Sequence, residues 1–253
     1  ATNDALKDQM PEYISRFQPI KSLSFVEKQR IVTLYLKYYD GAKEDQVLRD
    51  LECKREVLLL ESENKLVGFT TFQVFNYRWQ DQPIRVVYSG DTVVERKHWG
   101  QQALAFRWIQ RMTEIKQEKP ELPLYWFVII KGHRTFKYLP AFGKSFYPHW
   151  SNERADLKPL ADYLAADMFS DAYNPDTGVV EYEHSRGQLK AEIAEPTEAE
   201  LHKPSVRFFL NRNPNYRIGH ELVCLCELEQ SNMKSFTRRL ATRHCYNELV
   251  EPV

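Results

Sequence analysis

The sequence predicts a protein of mixed α/β (α+β) class, in which helices flank a central mixed sheet. Apolar residues first recur at helical spacing, and the period then changes to that of strands. Further on, an amphipathic helix leads into a continuous apolar run, Leu124–Ile130. Because a strand, a helix and a second strand in this order form a unit with parallel strands, we expect Leu124–Ile130 to lie parallel to the strand before the helix.

The N-terminal part is predicted to contain an extended arm and two helices. About the first twenty residues have few periodic signals and are expected to pack over the body. Ser24 and Glu27 form a capping box for the first helix, and Gly41 follows its end. The apolar stripe of this helix consists of Ile31, Val32, Tyr35, Leu36 and Tyr39. The inward residues of the second, shorter helix are Val47, Leu48 and Leu51.

Three strands are predicted to follow. The apolar run 57–60 ends in a turn cluster at 62–65, and a long strand covers 66–77. The polar segment 80–83 turns the chain again, and 84–95 is the third strand. Because the turns between them are short, we expect an antiparallel meander.

The second half of the predicted core is a helix, a strand and a short helix. Ala103–Glu118 carries one apolar stripe, formed by Leu104, Trp108, Met112 and Ile115. The continuous apolar character of Leu124–Ile130 is typical of an interior strand that is covered on both faces. Residues 133–139 are predicted to be helical until Pro140 interrupts them.

Residues 149–253 are predicted to form an α/β extension that completes or covers the sheet of a core formed by residues 1–148. No repeat or flexible linker separates the two parts. The elements expected in the extension are a helix at 157–168, a hairpin at 179–193 around 185–187, strands at 206–210 and 220–228, and a helix at 231–243.

Composition narrows the classes of function. Lys+Arg and Asp+Glu both number 35, so net charge gives no reason to expect nucleic acid or an anionic membrane as a partner. The chain lacks an apolar run of the roughly 18–20 residues that a membrane helix needs. Four cysteines are too sparse for a disulfide framework, and Cys224 and Cys226 are interpreted as buried small side chains. The histidines show no metal-ligand spacing. We therefore expect a soluble, cytoplasmic protein without a metal.

The turn ERKHWGQQAL joins the strand 84–95 to the helix Ala103–Glu118. A basic turn with one glycine that leads into a helix N-terminus is a common way to hold phosphates. With this turn, the order of elements from residue 24 to about residue 148 resembles the GNAT (acyl-CoA N-acyltransferase) superfamily. The resemblance covers the N-terminal half only. It implies a GNAT-like central sheet and acyl-coenzyme A, with an acetyl or a longer acyl group, as co-substrate.

The resemblance also implies which residues bind the cofactor. In the family a Q/R-x-x-G-x-G/A turn holds the pyrophosphate, and the corresponding segment here comprises Lys97, His98, Trp99, Gly100, Gln101, Gln102 and, at the helix start, Ala103. Main-chain groups of Val93 and Val94 are expected to pair with the pantetheine arm. Gln102 departs from the family pattern, since its side chain must swing aside where a small residue lets backbone approach phosphate.

Candidate catalytic residues lie on both sides of this turn in the sequence. Ser89, Asp91 and Glu95 share one face if the strand is regular, and Asp91 is the first candidate for general base, with Glu95 the second. Asp91 could equally bond a neighbouring loop, and a bulge at Gly90 would reverse the faces. By resemblance Tyr138 is the candidate general acid, followed by Tyr147, with packing as the alternative role.

These observations lead to one main function and two alternatives. The main one is an acyltransferase that moves an acyl group from coenzyme A to an amine of a small molecule, peptide or protein. The alternatives are a donor carried on an acyl carrier protein, and a non-catalytic GNAT-like protein that binds or senses a metabolite. Aromatic residues at 69–79 and 125–127 fit a lipophilic acyl chain or acceptor as well as an ordinary core. A V-shaped gap between the Asp91 strand and Leu124–Ile130 is where pantetheine is expected to lie.

Overall fold

The structure, a computed structural model, describes the backbone of residues 12–250 and the side chains of residues 12–242. The strands in these ranges are β1 (Tyr13–Pro19), β2 (Tyr39–Asp40), β3 (Glu56–Ser62), β4 (Lys65–Trp79), β5 (Gln82–Ser89), β6 (Thr92–Val94), β7 (Leu124–Ile130), β8 (Tyr173–Asn174), β9 (Val179–Val180), β10 (Gln188–Leu189) and β11 (Glu221–Glu227). The helices are α1 (Phe25–Tyr38), α2 (Glu44–Glu52), α3 (Ala103–Glu118), α4 (His133–Phe136), α5 (Tyr138–Phe142), α6 (Lys158–Phe169), α7 (Ala191–Ala194), α8 (Glu198–Leu201), α9 (Pro204–Arg212) and α10 (Ser235–Val250).

One large mixed sheet organises the molecule. Its strands follow the order β1, β3, β4, β5, β7, β11, β9 and β8, and β6 pairs with β4 beside this path. The antiparallel pairing of β3, β4 and β5 confirms the predicted meander. β5 and β7 are parallel, which confirms the predicted strand–helix–strand unit. The predicted α/β class, a central mixed sheet flanked by helices, is therefore correct.

The N-terminal elements follow the sequence closely, with one addition. The hydroxyl of Ser24 accepts a hydrogen bond from the Glu27 amide at 3.1 Å, and the Glu27 carboxylate accepts one from the Ser24 amide. The capping box is therefore formed. The predicted arm is more than a covering segment, because Tyr13–Pro19 is the edge strand β1 and pairs along its whole length with β3. Its partner is distant in sequence, so local periodicity did not reveal it.

Helices cover both faces of the sheet. The predicted stripe of α3 packs on one face, where α10 and the α4–α5 region also lie; its residues Leu104, Trp108, Met112 and Ile115 are all buried. On the other face α1 and α2 pack over β3 and β4, and α6 packs over β11 and β7. Within the described part of the chain, no helix combines the length and the apolar character that crossing a membrane requires.

The predicted strand 84–95 is two strands. β5 ends at Ser89, and β6 begins at Thr92 after a break at Gly90 and Asp91. Glycine lacks a Cβ and tolerates the irregular backbone that such a break needs. The break decides the geometry of the candidate site.

Two predictions that depended on local signals were wrong. Pro140 does not end a helix, because it lies in the first turn of α5, where a missing N–H removes no helical hydrogen bond. Residues 206–210 are helical within α9, which Pro204 opens at its first position. A short apolar run suits a buried helix as well as a strand, and the helical packing of Val206 and Phe209 against the core decided between them.

The other errors in the extension concern distant partners. Residues 179–193 do not form a hairpin, because β9 pairs with β8 and β11 whereas β10 pairs with β2. The last helix begins at Ser235, after a short 3-10 turn, and not at residue 231. The predicted helix at 157–168 and strand at 220–228 are formed by α6 and β11.

The sheet continues across the predicted boundary at residue 148. Six residues of β11 pair with β7, so the extension contributes a strand to the interior of the sheet. The division into 1–148 and 149–253 itself stays a prediction.

Candidate functional site

A V-shaped gap opens in the sheet between β6 and β7. The parallel pairing of β5 with β7 ends where Ser89 lies opposite Val128. The chain then breaks at Gly90, and β6 pairs with β4 while β7 continues to Ile130 alongside β11. Among the described residues, β6 has no ladder contact with β7. This divergence produces the kind of V-shaped gap in which the sequence analysis expects pantetheine to lie.

The break at Gly90 reverses the side-chain faces. Ser89 faces α3, where its hydroxyl accepts a hydrogen bond from the indole of Trp126 at 2.8 Å. Asp91 lies on the opposite face, in the wall of a polar cavity. The expectation that Ser89 and Asp91 share a face was therefore wrong, and the bulge considered as the alternative is the reason.

Main-chain groups of β6 are available to the gap. The Glu95 amide donates to the Val67 carbonyl of β4 at 2.7 Å. Because alternate residues of an antiparallel strand direct their main-chain groups to opposite sides, those of Val93 also face β4, whereas those of Thr92 and Val94 face the gap.

The turn before α3 offers further donors. The amides of Trp99 and Gln101 both donate within the turn at 3.2 Å. Those of Gly100, Gln102 and Ala103 have no hydrogen-bond partner in the described part of the chain. Gly100 has φ +90°, and a Cβ placed on it would meet nothing within 4 Å. The turn and the start of α3 together therefore form an open set of N–H donors, which is suited to an anion.

A cleft of about 910 Å³ connects the turn to the gap. One wall is formed by β6 and the turn, and the other by α4, α5 and residues of the extension. The indole of Trp99 donates to the Val94 carbonyl at 2.9 Å, which holds this exposed ring at the edge of the cleft.

Seven of the predicted site residues line this cleft: Val93, Val94, Trp99, Gly100, Gln101, Gln102 and Tyr138. The five that do not are Asp91, Glu95, Lys97, His98 and Ala103. Glu95 forms an ion pair with Lys37 of α1, with the two atoms 2.7 Å apart. The Nδ1 of His98 lies 2.8 Å from the hydroxyl of Tyr13, and Lys97 is exposed.

Basic side chains surround the same cleft, and sequence reasoning missed most of them. They are Arg96, Arg134, Lys137 and Lys203. The guanidinium of Arg134 lies 4.7 Å from the centre of the Trp99 ring, and that of Arg96 lies 5.4 Å from it. Arg134 and Lys137 follow β7 at the point where the gap opens, so their place after a predicted interior strand was the signal that could have identified them.

Glu200 is the acidic member of this cluster. It lies 3.0 Å from Arg134 and 3.4 Å from Lys137, and the capping box of α8 orients it. Burial opposes its ionisation, but the Thr197 amide and the charge of Arg134 outweigh burial and lower the pKa of Glu200 to about 2. The carboxylate therefore stays charged and positions the two cations.

His133 lies beneath this cluster and is 1 % exposed. Burial, together with the charge of Arg134, lowers the pKa of His133 to about 4. Its Nδ1 is 3.6 Å from Glu200, and neither ring nitrogen has a hydrogen-bond partner among the described residues. The imidazole is therefore neutral near pH 7, and His133 belongs to the lining of the cleft.

Tyr138 stands where the cleft meets a second, apolar cavity, and it lines both. Burial raises the pKa of its phenol, so the group keeps its proton at neutral pH. Tyr147, the second candidate acid, is buried under α6 and lines neither space.

The polar cavity beside Asp91 lies on the opposite face and has a volume of about 110 Å³. Three carboxylates, three basic side chains and four tyrosines line it: Asp50, Asp91, Glu221, Lys54, Lys131, Arg186, Tyr35, Tyr39, Tyr88 and Tyr182. Burial raises the pKa of Glu221, whose Oε1 is 3.4 Å from Lys131. Its Oε2 has no partner among the described residues. Gly90 lines both this cavity and the apolar one, so the break in the strand separates them.

Among the residues that the structure describes, no group of three or more potential metal ligands is close enough to hold an ion. Cys224 and Cys226 are fully buried on the α3 side of β11, and burial raises the pKa of Cys226 to about 12. Both are packed thiols, as the sequence analysis interpreted them.

The meander, the divergent strand, the turn into α3 and the parallel β7 form a GNAT-like arrangement. No family model matches the sequence, and a search of the curated proteins gives no match either. The solved structures that are similar include aminoglycoside N-acetyltransferase AAC(6')-Iy with CoA, at 14% identity over 43% of this chain and 73% of that chain, with a TM-score of 0.33.

Two further solved structures extend the comparison. The GNAT-family N-acetyltransferase YhbS from Escherichia coli, in complex with CoA, is 14% identical over 53% of this chain and 71% of its own, with a TM-score of 0.38. A probable N-acyltransferase from Enterococcus faecalis is 8% identical over 53% of this chain and 33% of its own, also with a TM-score of 0.38. These matches cover about half of the chain, and the fold assignment rests on the strand order and the gap of this chain.

Proposed function

We propose that this protein transfers an acyl group from a coenzyme A thioester to an amine. The observation that carries the proposal is the gap between β6 and β7, which opens into a cleft of about 910 Å³ beside the turn before α3. An extended thiol arm fits such a gap, because strand edges on its two sides offer main-chain hydrogen bonds in place of the missing ladder.

The donor's phosphates are assigned to the turn and the surrounding cations. The amides of Gly100 and Gln102 supply N–H donors at the helix N-terminus, and Arg134 and Lys137 supply charge. The amides of the pantetheine arm would pair with the main chain of β6 at Thr92 and Val94. Similar solved structures are described as complexes with CoA, which is consistent with this donor.

The acceptor is assigned to the polar cavity on the opposite face. Asp91, in the wall of this cavity, takes the proton that makes the nitrogen nucleophilic. The nitrogen then attacks the thioester carbonyl and the C–S bond breaks. The departing thiolate takes a proton from the Tyr138 phenol, which regains one from the new amide nitrogen. Holding the two substrates together supplies much of the rate, because the reaction becomes effectively intramolecular.

Donor binding is tested with Gly100→Leu. Gly100 lines the cleft and has positive φ, so a leucine would strain the turn and crowd the donor, and we expect the calorimetric affinity for acetyl-CoA to fall at least about tenfold, the effect of about 1.4 kcal/mol. Gly41→Leu is the matched control, since Gly41 also has positive φ, at +73°, but does not line the cleft. Unchanged affinity of Gly100→Leu would refute the assignment of the turn.

Acyl transfer is tested separately by following thiol release from acetyl-CoA with a panel of primary amines. Release that depends on an amine supports the enzyme. Binding of acetyl-CoA without release in the presence of any amine would favour the non-catalytic binding protein.

A further inference from the structure

An apolar cavity of about 310 Å³ lies between α3 and the sheet, directly behind the gap. Its walls are formed by α3, by β5 and β7, and by α5, and the start of α10 borders it. Trp108 and Trp126 pack with ring centres 4.7 Å apart, and the Phe142 ring meets both edge-on at 5.9 Å. A concave space lined mainly by apolar and aromatic side chains is typical of a ligand site.

Four of the polar side chains on the wall are bonded to each other in two pairs. The hydroxyl of Ser89 accepts from Trp126 at 2.8 Å, and those of Thr70 and Thr92 share a hydrogen bond of 2.8 Å. None of the lining residues has a buried side-chain polar atom without a partner, in the part of the chain that is described. Because its walls are mainly apolar and, among the described residues, show no buried polar side-chain atom in need of a partner, this space is suited to hydrocarbon.

The cavity and the cleft are continuous. Six residues line both spaces: Thr92, Gln101, Gln102, Thr135, Tyr138 and Ala141. A thioester held in the gap with its phosphates at the turn would therefore have its acyl group at this junction, beside Tyr138. An acyl chain that continues past the carbonyl has the apolar cavity in front of it.

We propose that this cavity binds the alkyl chain of a medium-chain acyl donor. The inference rests on the proposed function and goes beyond it by naming the class of donor. A bound alkyl chain and the apolar walls of this cavity would remove each other from water, which favours binding. Since a methylene group needs about the space of a water molecule, roughly 30 Å³, the cavity holds a chain on the order of ten carbons.

The start of α10 forms the outer wall. Phe236 is 50% exposed, and its ring centre lies 5.5 Å from that of Phe106 on α3. The Thr237 hydroxyl donates to the Ala141 carbonyl at 3.3 Å, which attaches α10 to α5 at the same border. A chain in the cavity would be covered on its solvent side by these aromatic rings.

The test is calorimetric binding of acetyl-, butyryl-, octanoyl- and palmitoyl-CoA to the full chain. Each added methylene is expected to tighten binding by up to about fourfold, the factor equivalent to about 0.8 kcal/mol per buried methylene. Octanoyl-CoA should bind at least about a hundredfold more tightly than acetyl-CoA. Palmitoyl-CoA should gain no more over octanoyl-CoA than the roughly two further methylene groups that the cavity can hold, because the rest of its chain exceeds the volume of the cavity.

Two variants locate the effect. Ala105→Trp fills the cavity from α3. It should lower the affinity for octanoyl-CoA at least about tenfold, while the affinity for acetyl-CoA changes less than about twofold. The retained acetyl-CoA affinity also shows that the variant is folded. Phe236 is half exposed, so Phe236→Ala is a mild change for folding. This variant should weaken the binding of octanoyl-CoA only. Ala166→Trp, on the exposed face of α6, is the matched control and should change neither affinity.

The outcomes separate the two proposals. Equal affinities for acetyl- and octanoyl-CoA, or no response of octanoyl-CoA to Ala105→Trp, would overturn the chain site while the proposed acyltransferase stands. Failure of every thioester to bind would overturn the proposed function and this inference with it.

Discussion

At the scale of single residues, Gly90 has the largest effect on the candidate site. It follows the end of the ladder between β5 and β7, where Ser89 faces α3, and it leaves Asp91 on the face of the polar cavity. A regular strand would have put both side chains on one face. The possible bulge could be read from the sequence, but its effect on Asp91 depends on which neighbouring strand the chain follows afterwards.

Asp91 is expected to be needed for turnover and dispensable for donor binding. If transfer occurs, Asp91→Asn should lower kcat by about 10²–10⁴-fold, the usual contribution of a general base, with an unchanged acetyl-CoA affinity. Glu95→Gln is the matched control, because Glu95 pairs with Lys37 away from the cleft and should leave kcat unchanged. Steady-state kinetics and calorimetry together measure both effects. Equal losses in the two variants would contradict the assignment of Asp91.

His133 is expected to make the protein less stable in mild acid. Its pKa is lowered from 6.5 to about 4 in the folded protein, so the unfolded chain binds the proton first as pH falls. The contribution of neutral His133 to the free energy of unfolding is therefore fully present above pH 6.5 and is lost as pH falls from 6.5 to about 4. Since one unit of pKa corresponds to about 1.4 kcal/mol, the loss is on the order of 3 kcal/mol.

The measurement is urea unfolding across this pH range for the native chain and for His133→Gln. The variant lacks the titrating group and should lose most of the slope between the two pH limits. Parallel slopes for both proteins would show that another group causes the dependence.

At the scale of elements, the start of α3 combines three features in sequence order. β6 ends, a short basic turn follows, and the helix begins with amides that have no partner among the described residues. The bounds of α3 and β7 could be predicted because their patterns are long and regular. Helix α9 could not, because four apolar residues within the five-residue segment 206–210 do not distinguish strand from helix.

The capping box of α8 is expected to support the donor site. Thr197→Ala removes the hydroxyl that accepts from the Glu200 amide at 3.2 Å, which should cost about 1 kcal/mol of stability. Because Glu200 positions Arg134 and Lys137, acetyl-CoA affinity should also fall several-fold. Ser24→Ala removes the equivalent cap of α1 and should lower only stability. Unfolding and calorimetry on both variants provide the comparison, and equal effects on affinity would contradict a role for α8.

At the scale of the whole molecule, the extension completes the sheet and helps enclose the cleft. β11 pairs with β7 along six residues, and Ile193, Glu200 and Lys203 line the cleft from the extension. β10 pairs with β2 next to the gap. The site is therefore shared between parts of the chain that are more than a hundred residues apart.

Residues 1–148 alone are expected not to fold stably. Without β11, the edge of β7 and its apolar residues on both faces, Trp126 and Phe127 among them, would be exposed. We expect the shortened chain to be insoluble or to unfold without a cooperative transition, as measured by circular dichroism during heating. Co-expression with residues 149–253 as a separate chain should restore soluble protein. A cooperative, soluble 1–148 fragment would contradict this expectation.

The sequence by itself determined the class of fold, the meander, the parallel unit around α3, and the turn that became one wall of the cleft. Each of these depends on local periodicity and on contacts between elements that are neighbours in the chain. Only the tertiary structure decided the partners of β1, β9 and β10, the face of Asp91, and the cations on the far wall. Those features depend on strand pairing and burial between distant segments, and no local pattern encodes which of them meet.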